Sequence, residues 1–126
     1  MIRVGLNGFG RIGRVVARIL STKRKYKLVL INEIDNDIEN LAYLFKYDSL
    51  YGKFNGRVKK NGNSILINKD EVKIFSKKKI EDVPWKKNKI DVVIDASGTN
   101  SNVRSSKKIL KNGVKKVIIT HSPNNN

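Results

Sequence analysis

Three glycines lie close together near the amino terminus, in the stretch N-G-F-G-R-I-G that runs from Asn7 to Gly13. Gly8, Gly10 and Gly13 have the spacing G-x-G-x-x-G of a phosphate-binding turn, but this spacing alone is a weak signal because glycine is common in loops. The segments on either side decide between a phosphate-binding turn and an ordinary flexible one.

The flanking segments predict a β-α-β unit. Residues Ile2–Leu6 alternate apolar and variable side chains, which is typical of a strand. The uninterrupted apolar run Leu28–Ile31 predicts a second strand that is covered on both faces. Between them, from Arg11 onward, apolar residues recur at helical spacing. These residues are Ile12, Val15, Val16, Ile19 and Leu20. The glycines therefore lie between a strand and a helix, and a buried strand follows.

In such a unit the first glycine permits a tight turn, the second lets the backbone approach a pyrophosphate, and the third lets helix and strand pack closely. The amides of Arg11 and Ile12 then lie at the helix amino terminus, which favours an anion. Glu33 lies 20 residues after Gly13, where an acidic side chain binds the ribose diol of a dinucleotide. Its charge disfavours a 2′-phosphate, so the sequence predicts NAD rather than NADP. The alternatives are a structural turn and a solvated carboxylate at a strand end.

The middle of the chain predicts a helix followed by a small antiparallel insertion. Apolar residues keep helical spacing from Ile38 to Phe45. Short strands follow, and the Asn-Gly pair of the turn Asn61–Asn63 is a strong hairpin signal. The predicted strands are Arg57–Lys59, Ser64–Ile67 and Val72–Phe75.

The parallel pattern returns from Ile90. Buried strands are predicted at Ile90–Ala96 and Val117–Thr120, with a helix at Val103–Leu110 that ends before Gly113. The last stretch, Pro123–Asn126, has no periodicity. Residues 1–126 therefore predict one α/β domain of the Rossmann type, with a doubly wound, mostly parallel sheet and a small antiparallel insertion.

The residues that follow the later strands are further candidates, because an open α/β sheet binds its ligand at the carboxyl ends of its strands. Ser97 and Gly98 follow one such strand, and Thr120 ends the last one. The two hydroxyl groups can bond the adenosine or the nicotinamide side of a dinucleotide. Ser97 can equally cap the helix that follows it.

Conventional catalytic groups are scarce. The chain has no cysteine and one histidine, His121, whose place beside a terminal loop favours an incidental role. Asp35 and Asp37 are best interpreted as parts of a solvated turn. The sequence therefore predicts neither a catalytic residue nor a metal site.

The net charge of +16 raises nucleic acid as a possible partner. However, the 20 lysines and 7 arginines are spread along the chain in short groups, which favours a solvated surface over a nucleic-acid interface. No apolar run of about 18 residues predicts a membrane span, and no signal peptide is recognisable at the amino terminus. With no cysteine, the expected location is the cytoplasm.

Five segments together resemble phosphorylating glyceraldehyde-3-phosphate dehydrogenase. The most specific is F-K-Y-D-S-L-Y-G-K-F-N-G at Phe45–Gly56. The others are N-G-F-G-R-I-G-R, the strand end I-N-E, V-P-W-K at Val83–Lys86 and D-V-V-I-D-A-S-G at Asp91–Gly98. They occur in the family's order, and the likeness runs over essentially the whole chain. The glycine pattern occurs in any Rossmann domain, so K-Y-D-S and its neighbours select the family.

The resemblance implies that NAD is bound by the backbone of Arg11 and Ile12 and that its adenosine ribose is held at Glu33. Lys78 stands where the family usually has an arginine near the adenine. Glu33 replaces the usual aspartate, and Thr120 replaces a common serine. The full predicted cofactor-binding set is Asn7, Gly8, Phe9, Gly10, Arg11, Ile12, Gly13, Asn32, Glu33, Lys78, Ser97, Gly98 and Thr120.

The resemblance also implies a glycolytic enzyme, a homotetramer when complete, that converts glyceraldehyde 3-phosphate to 1,3-bisphosphoglycerate. The family's catalytic cysteine and histidine belong to a later region, so the chain is expected to be an NAD-binding portion without the catalytic domain and inactive alone. Two alternatives stay open. One is a standalone NAD-binding or basic nucleic-acid-contacting module, and the other is the related erythrose-4-phosphate dehydrogenase.

Overall fold

The computed structural model describes residues 1–121, and the aperiodic stretch Pro123–Asn126 lies outside them. Its helices and strands follow the apolar periodicity of the sequence. In chain order they are β1 (Ile2–Asn7), α1 (Arg11–Ser21), β2 (Tyr26–Asn32), α2 (Ile38–Lys46), β3 (Tyr47–Asp48), β4 (Gly52–Lys53), β5 (Val58–Asn61), β6 (Ser64–Ile67), β7 (Asp70–Phe75), a 3-10 helix (Ile80–Asp82), β8 (Val92–Asp95), α3 (Ser101–Lys111) and β9 (Lys116–Ile119). No helix within residues 1–121 has the length and apolar character that crossing a bilayer requires.

Seven strands form one sheet in the order β5-β6-β7-β2-β1-β8-β9. Neighbours from β7 to β9 are parallel, whereas β5, β6 and β7 pair in antiparallel fashion. The prediction of a mostly parallel Rossmann-type sheet with an antiparallel segment is confirmed. That segment extends the main sheet, because β7 also pairs in parallel with β2. The strands β3 and β4 form a separate short antiparallel hairpin, which the sequence analysis did not predict.

The helices cover both faces of the sheet. Successive residues of β8 point to opposite faces: Val93 packs with Trp85 and α3, whereas Ile94 packs against the cluster formed with α1 and α2. The predicted double coverage of β2 is confirmed, since each residue of Leu28–Ile31 is at most 8% exposed. The central strands therefore lie between two apolar cores.

A strand is present near the predicted Val117–Thr120, but the prediction that it is buried is wrong. Ile118 is 41% exposed and Thr120 is exposed. Within the described part of the chain, β9 pairs with β8 alone and is the edge of the sheet. An apolar run indicates a strand, but it does not indicate how many neighbours cover that strand.

The segment around Asp48 forms a tight hairpin held by a side-chain carboxylate. Oδ1 of Asp48 accepts hydrogen bonds from the amides of Leu50 and Tyr51, both at 2.8 Å. The Arg18 side chain joins this hairpin to the end of α2 by donating to the carbonyl oxygens of Phe45 and Gly52. The two amide hydrogen bonds lower the pKa of Asp48 below its ordinary value of 3.8.

A lowered pKa makes the Asp48 hairpin sensitive to acid. The carboxylate stabilises the hairpin fully above pH 3.8, and this contribution is lost as the pH falls through the lowered pKa. An NMR titration of the Leu50 and Tyr51 amide shifts is expected to show a midpoint below 3.8. The Asp48→Asn variant should lack this transition, and a midpoint at or above 3.8 would contradict the assignment.

Candidate functional site

The first glycine of the turn adopts a conformation and a position that other residues do not tolerate. Gly8 has a φ of +94°, in the left-handed region. A Cβ added there would lie 2.8 Å from both the Cα and the amide nitrogen of Ser97. The turn after β1 therefore packs directly on the backbone of the turn after β8. The predicted role of the first glycine in a tight turn agrees with this geometry.

The other two glycines differ sharply in their surroundings. A Cβ on Gly13 would overlap the carbonyl oxygen of Gly8, so this glycine lets the first turn of α1 press against the loop. A Cβ on Gly10 would meet no atom within 4 Å. Gly10 is exposed, precedes α1 directly and leaves the backbone open to an incoming group.

The amino terminus of α1 offers unused hydrogen-bond donors. Within residues 1–121, the amides of Arg11 and Ile12 have no acceptor. No acidic side chain lies in the first turn of α1, and Gly10 provides no side-chain cap. Such a helix end carries a partial positive charge and favours an anion.

Phe9 anchors the glycine turn to the protein interior. Its side chain is 2% exposed and stacks on Phe45 with the ring centres 6.0 Å apart. Its carbonyl oxygen accepts a hydrogen bond from Nη1 of Arg14 at 3.0 Å. The buried Phe9 side chain thus fixes the turn to the core, and its neighbours in the sequence are Gly8 and Gly10.

Glu33 bridges the end of β2 and the glycine turn. Its Oε1 accepts a hydrogen bond from the amide of Phe9 at 2.9 Å, and its Oε2 accepts one from the amide of Asp35 at 2.8 Å. The side chain is half-buried. Each carboxylate oxygen accepts more than one hydrogen bond, so both keep capacity for a ligand hydroxyl group.

A buried polar network crosses the carboxyl ends of the strands. Nδ2 of Asn32 donates to Oδ1 of Asn7 at 2.8 Å, and Nδ2 of Asn7 donates to Oδ1 of Asp95 at 3.0 Å. Asn32 also exchanges hydrogen bonds with the backbone of Lys77, at 2.8 and 2.9 Å. The network therefore joins β1, β2, β8 and the segment after β7.

Ser97 belongs to the same network. Its hydroxyl donates to Oδ1 of Asp95 at 2.7 Å and accepts hydrogen bonds from the amide of Thr99 and from Nδ2 of Asn102. The N-cap position of α3 is Asn100, which makes no side-chain capping bond. Ser97 therefore does not cap α3, the structural role that the sequence offered for it. Its hydroxyl group instead accepts one hydrogen bond within the turn that precedes α3 and one from a side chain in the first turn of α3.

A cavity of about 740 Å³ lies over these strand ends. Polar residues at the carboxyl ends of the strands line it, together with residues at the start of α3 and in the 3-10 helix. Three consecutive lysines, Lys77, Lys78 and Lys79, lie along its rim together with Lys108. Lys108 lies 3.8 Å from the carboxylate of Glu81, which is also part of the lining.

The predicted residues fall into two groups relative to this cavity. Those that line it are Asn7, Gly8, Gly10, Asn32, Glu33, Lys78 and Ser97. Those that do not line it are Phe9, Arg11, Ile12, Gly13, Gly98 and Thr120. Phe9 and Gly13 are buried beneath the turn, and Arg11 and Ile12 lie exposed at the start of α1. Thr120 donates through Oγ1 to the carbonyl oxygen of Asp95 at 3.2 Å.

Sequence reasoning missed Asp95 and the α3 side of the cavity. Asp95 is an acidic residue at the end of an apolar strand and is fully buried. That unusual placement in V-V-I-D is a signal that could have singled it out. Asn102 and Ser105 line the cavity from α3, and nothing in their local sequence indicates it.

A parallel sheet with an open glycine turn, a free helix amino terminus and an acidic residue after the second strand defines the class of Rossmann dinucleotide-binding domains. The family described as "Glyceraldehyde 3-phosphate dehydrogenase, NAD binding domain" matches residues 2–103. The chain belongs to this family. The predicted family and the predicted cofactor, NAD, are thereby confirmed.

Curated relatives agree with this assignment. Glyceraldehyde-3-phosphate dehydrogenase 2 of Kluyveromyces marxianus is 40% identical over 120 residues, which is 95% of this chain and 36% of the relative. Glyceraldehyde-3-phosphate dehydrogenase of Eremothecium gossypii is 39% identical over the same shares of both chains. That of Debaryomyces hansenii is 40% identical over 94% of this chain and 36% of its own length. The chain thus spans about a third of the length of these relatives.

Proposed function

We propose that this chain binds NAD with the pyrophosphate at Gly10 and the start of α1. The observation that carries the proposal is the open approach at Gly10 beside two amides, those of Arg11 and Ile12, that have no acceptor within residues 1–121. An anion there gains two hydrogen bonds and a favourable helix dipole. Gly8 and Gly13 shape the turn from below and have no ligand contact of their own in this proposal.

The adenosine ribose is placed at Glu33 in this proposal. The carboxylate oxygens are held by the amides of Phe9 and Asp35, which presents them to the cavity in a defined orientation. A ribose diol donates hydrogen bonds to such a carboxylate, whereas a 2′-phosphate is repelled by it. Lys78 lies on the cavity rim and is assigned to the adenine side. Its compact charge cannot reproduce the planar contact of an arginine.

Asn7, Asn32 and Ser97 support the site chiefly through their network. The side chains of Asn7 and Asn32 are at most 6% exposed and bond to one another. Their proposed role is to hold the strand ends in place. Gly98, with a φ of +73°, and Thr120 are assigned to the side of the site near β8 and β9.

At the level of the whole protein, we propose the NAD-binding portion of a cytoplasmic phosphorylating glyceraldehyde-3-phosphate dehydrogenase. NAD supplies the hydride acceptor when bound. The complete enzyme oxidises and phosphorylates glyceraldehyde 3-phosphate to 1,3-bisphosphoglycerate and assembles as a homotetramer. The present 126 residues contain no cysteine and so cannot supply a thiol nucleophile for this reaction. They form one domain in this proposal, and the catalytic domain is their partner.

The Gly10→Ala variant tests the pyrophosphate position. A methyl group at Gly10 meets no protein atom within 4 Å, so the melting temperature is expected to stay unchanged. The same methyl group would stand in the path of the pyrophosphate, and the dissociation constant for NAD, measured by titration calorimetry, is expected to rise about tenfold, or about 1.4 kcal/mol. An unchanged affinity in a normally folded variant would reject this position.

Two further experiments test the ribose site at Glu33 and the alternative of nucleic-acid binding. Glu39→Gln removes an exposed carboxylate of α2 away from the cavity and should leave NAD affinity unchanged, whereas Glu33→Gln should weaken it. Duplex DNA is titrated across a salt series in parallel. Salt-steep binding of DNA without any heat from NAD would overturn the proposed function in favour of a nucleic-acid-binding module.

A further inference from the structure

We propose that Asp95 is a positioning residue that joins the two turns bordering the dinucleotide site, an inference that rests on the proposed binding of NAD. The first turn follows β1 and contains the glycines, and the second follows β8 and begins at Ser97. Asp95 lies between them at the end of β8 and is fully buried. It touches no ligand in this proposal and acts through the residues that it holds.

One carboxyl oxygen of Asp95 serves both turns. Oδ1 accepts a hydrogen bond from Nδ2 of Asn7 at 3.0 Å, on the glycine side. The same atom accepts hydrogen bonds from the amide of Ser97 at 3.2 Å and from its hydroxyl at 2.7 Å, on the β8 side. Three donors, one from the last residue of β1 and two from Ser97 after β8, therefore converge on one oxygen atom.

The carboxyl group of Asp95 carries a cost of its own in this place. Oδ2 of Asp95 is buried and has no hydrogen-bond partner within the described residues. A buried polar atom without a partner disfavours folding, and an apolar side chain would avoid this cost. What an apolar side chain cannot provide is an acceptor for Asn7 and Ser97.

The two turns are in direct backbone contact where Asp95 joins them. Gly8 packs against the backbone of Ala96 and Ser97 so closely that no Cβ fits between them. Asn7 and Ser97, which flank this contact, both line the cavity. A change at Asp95 therefore displaces two walls of the cavity at once, although its side chain is hidden from the cavity itself.

Two substitutions at Asp95 and one control test the inference in the 126-residue chain. Asp95→Asn keeps a carbonyl acceptor for the three donors, and Asp95→Ala removes every acceptor. We expect the dissociation constant for NAD to rise about threefold in the first variant and about tenfold in the second, consistent with the range for single hydrogen bonds. Asp91→Asn is the matched control, at the residue directly before the same strand. It weakens the contact with the amide of Arg3 and should leave NAD affinity unchanged.

Amide hydrogen exchange without ligand provides an independent readout. In both Asp95 variants, exchange is expected to accelerate together at Gly8 and Phe9 and at Ser97 and Thr99, but not in the control. A purely structural role would lower the melting temperature while the NAD dissociation constant stayed within about twofold of that of the parent. That result would overturn the inference. If Asp95→Ala does not fold, unchanged NAD affinity in Asp95→Asn overturns it by itself.

The failure of the proposed function is distinguishable from the failure of this inference. If the parent chain binds no NAD, the proposed function is rejected, and the exchange experiment alone decides the role of Asp95. Accelerated exchange in both turns of Asp95→Asn would then support the joint positioning of the turns. Unchanged exchange at Gly8 and Ser97 would overturn it.

Discussion

Replacing Phe9 with alanine is expected to destabilise the fold by about 3–5 kcal/mol, the usual cost of removing a buried aromatic ring. The ring is 2% exposed and stacks on Phe45, so its loss opens a cavity beneath the glycine turn. Chemical denaturation with urea, followed by circular dichroism, measures this cost. A loss below about 1 kcal/mol would show that the turn does not depend on the ring, since that is the ordinary effect of a surface or mild core substitution.

Phe9→Leu is the control for this substitution. Leucine keeps much of the apolar volume, so the expected cost is about 1 kcal/mol. The two variants also separate stability from binding. In the folded fraction of Phe9→Ala, the backbone amide of residue 9 loses its fixed position opposite Glu33. The affinity for NAD should therefore fall further than in Phe9→Leu. Equal affinities in the two variants would contradict the anchoring role of the ring.

Replacing Gly13 with alanine is expected to destabilise the fold by about 2 kcal/mol, the range for overpacking a rigid interior. Alanine favours a helix by about 1 kcal/mol over glycine. However, the added methyl group would overlap the carbonyl oxygen of Gly8, which is backbone and cannot rotate away. The steric cost therefore exceeds the helical gain. Differential scanning calorimetry should show a melting temperature lower by about 8 °C.

Gly10→Ala is the matched control for Gly13→Ala, because it places the same methyl group three residues earlier in open space. Its melting temperature should equal that of the parent. If Gly13→Ala were as stable as the parent, the helical gain would have prevailed, and the close packing of α1 on the turn would be weaker than the structure indicates. The pair thus measures separately what the second and third glycines contribute.

Much of the fold follows from local sequence patterns. The helices α1, α2 and α3 and the central strands occur where apolar periodicity predicts them, because a residue's burial repeats with the period of its own element. The antiparallel strands β5 and β6 follow from the Asn-Gly turn for a similar local reason. Burial of β9 could not be predicted in this way. Ile118 is exposed because β9 is the edge of the sheet within residues 1–121, and sheet order is a tertiary property.

The candidate site likewise has features that the local sequence predicts and features that it does not. The glycine turn and Glu33 were predictable, since a short turn and the end of the next strand have a characteristic spacing in a β-α-β unit. The exact partners of Glu33 were not, and the structure shows the amides of Phe9 and Asp35 in that role. The buried side chain of Phe9 likewise lies in the core, away from the cavity that its neighbours line.

By itself, the sequence determined the three main helices, the central strands, the Rossmann-type class and the position of the glycine turn, because each depends on residues close together in the chain. Only the tertiary structure decided that Asn7 and Asp95, 88 residues apart, meet in one buried network. Parallel pairing of β1 with β8 brings their carboxyl ends together, and no local pattern records which strands become neighbours. The residues that line the cavity are therefore brought together by the order of the strands, whereas the glycine turn among them is specified by its local sequence.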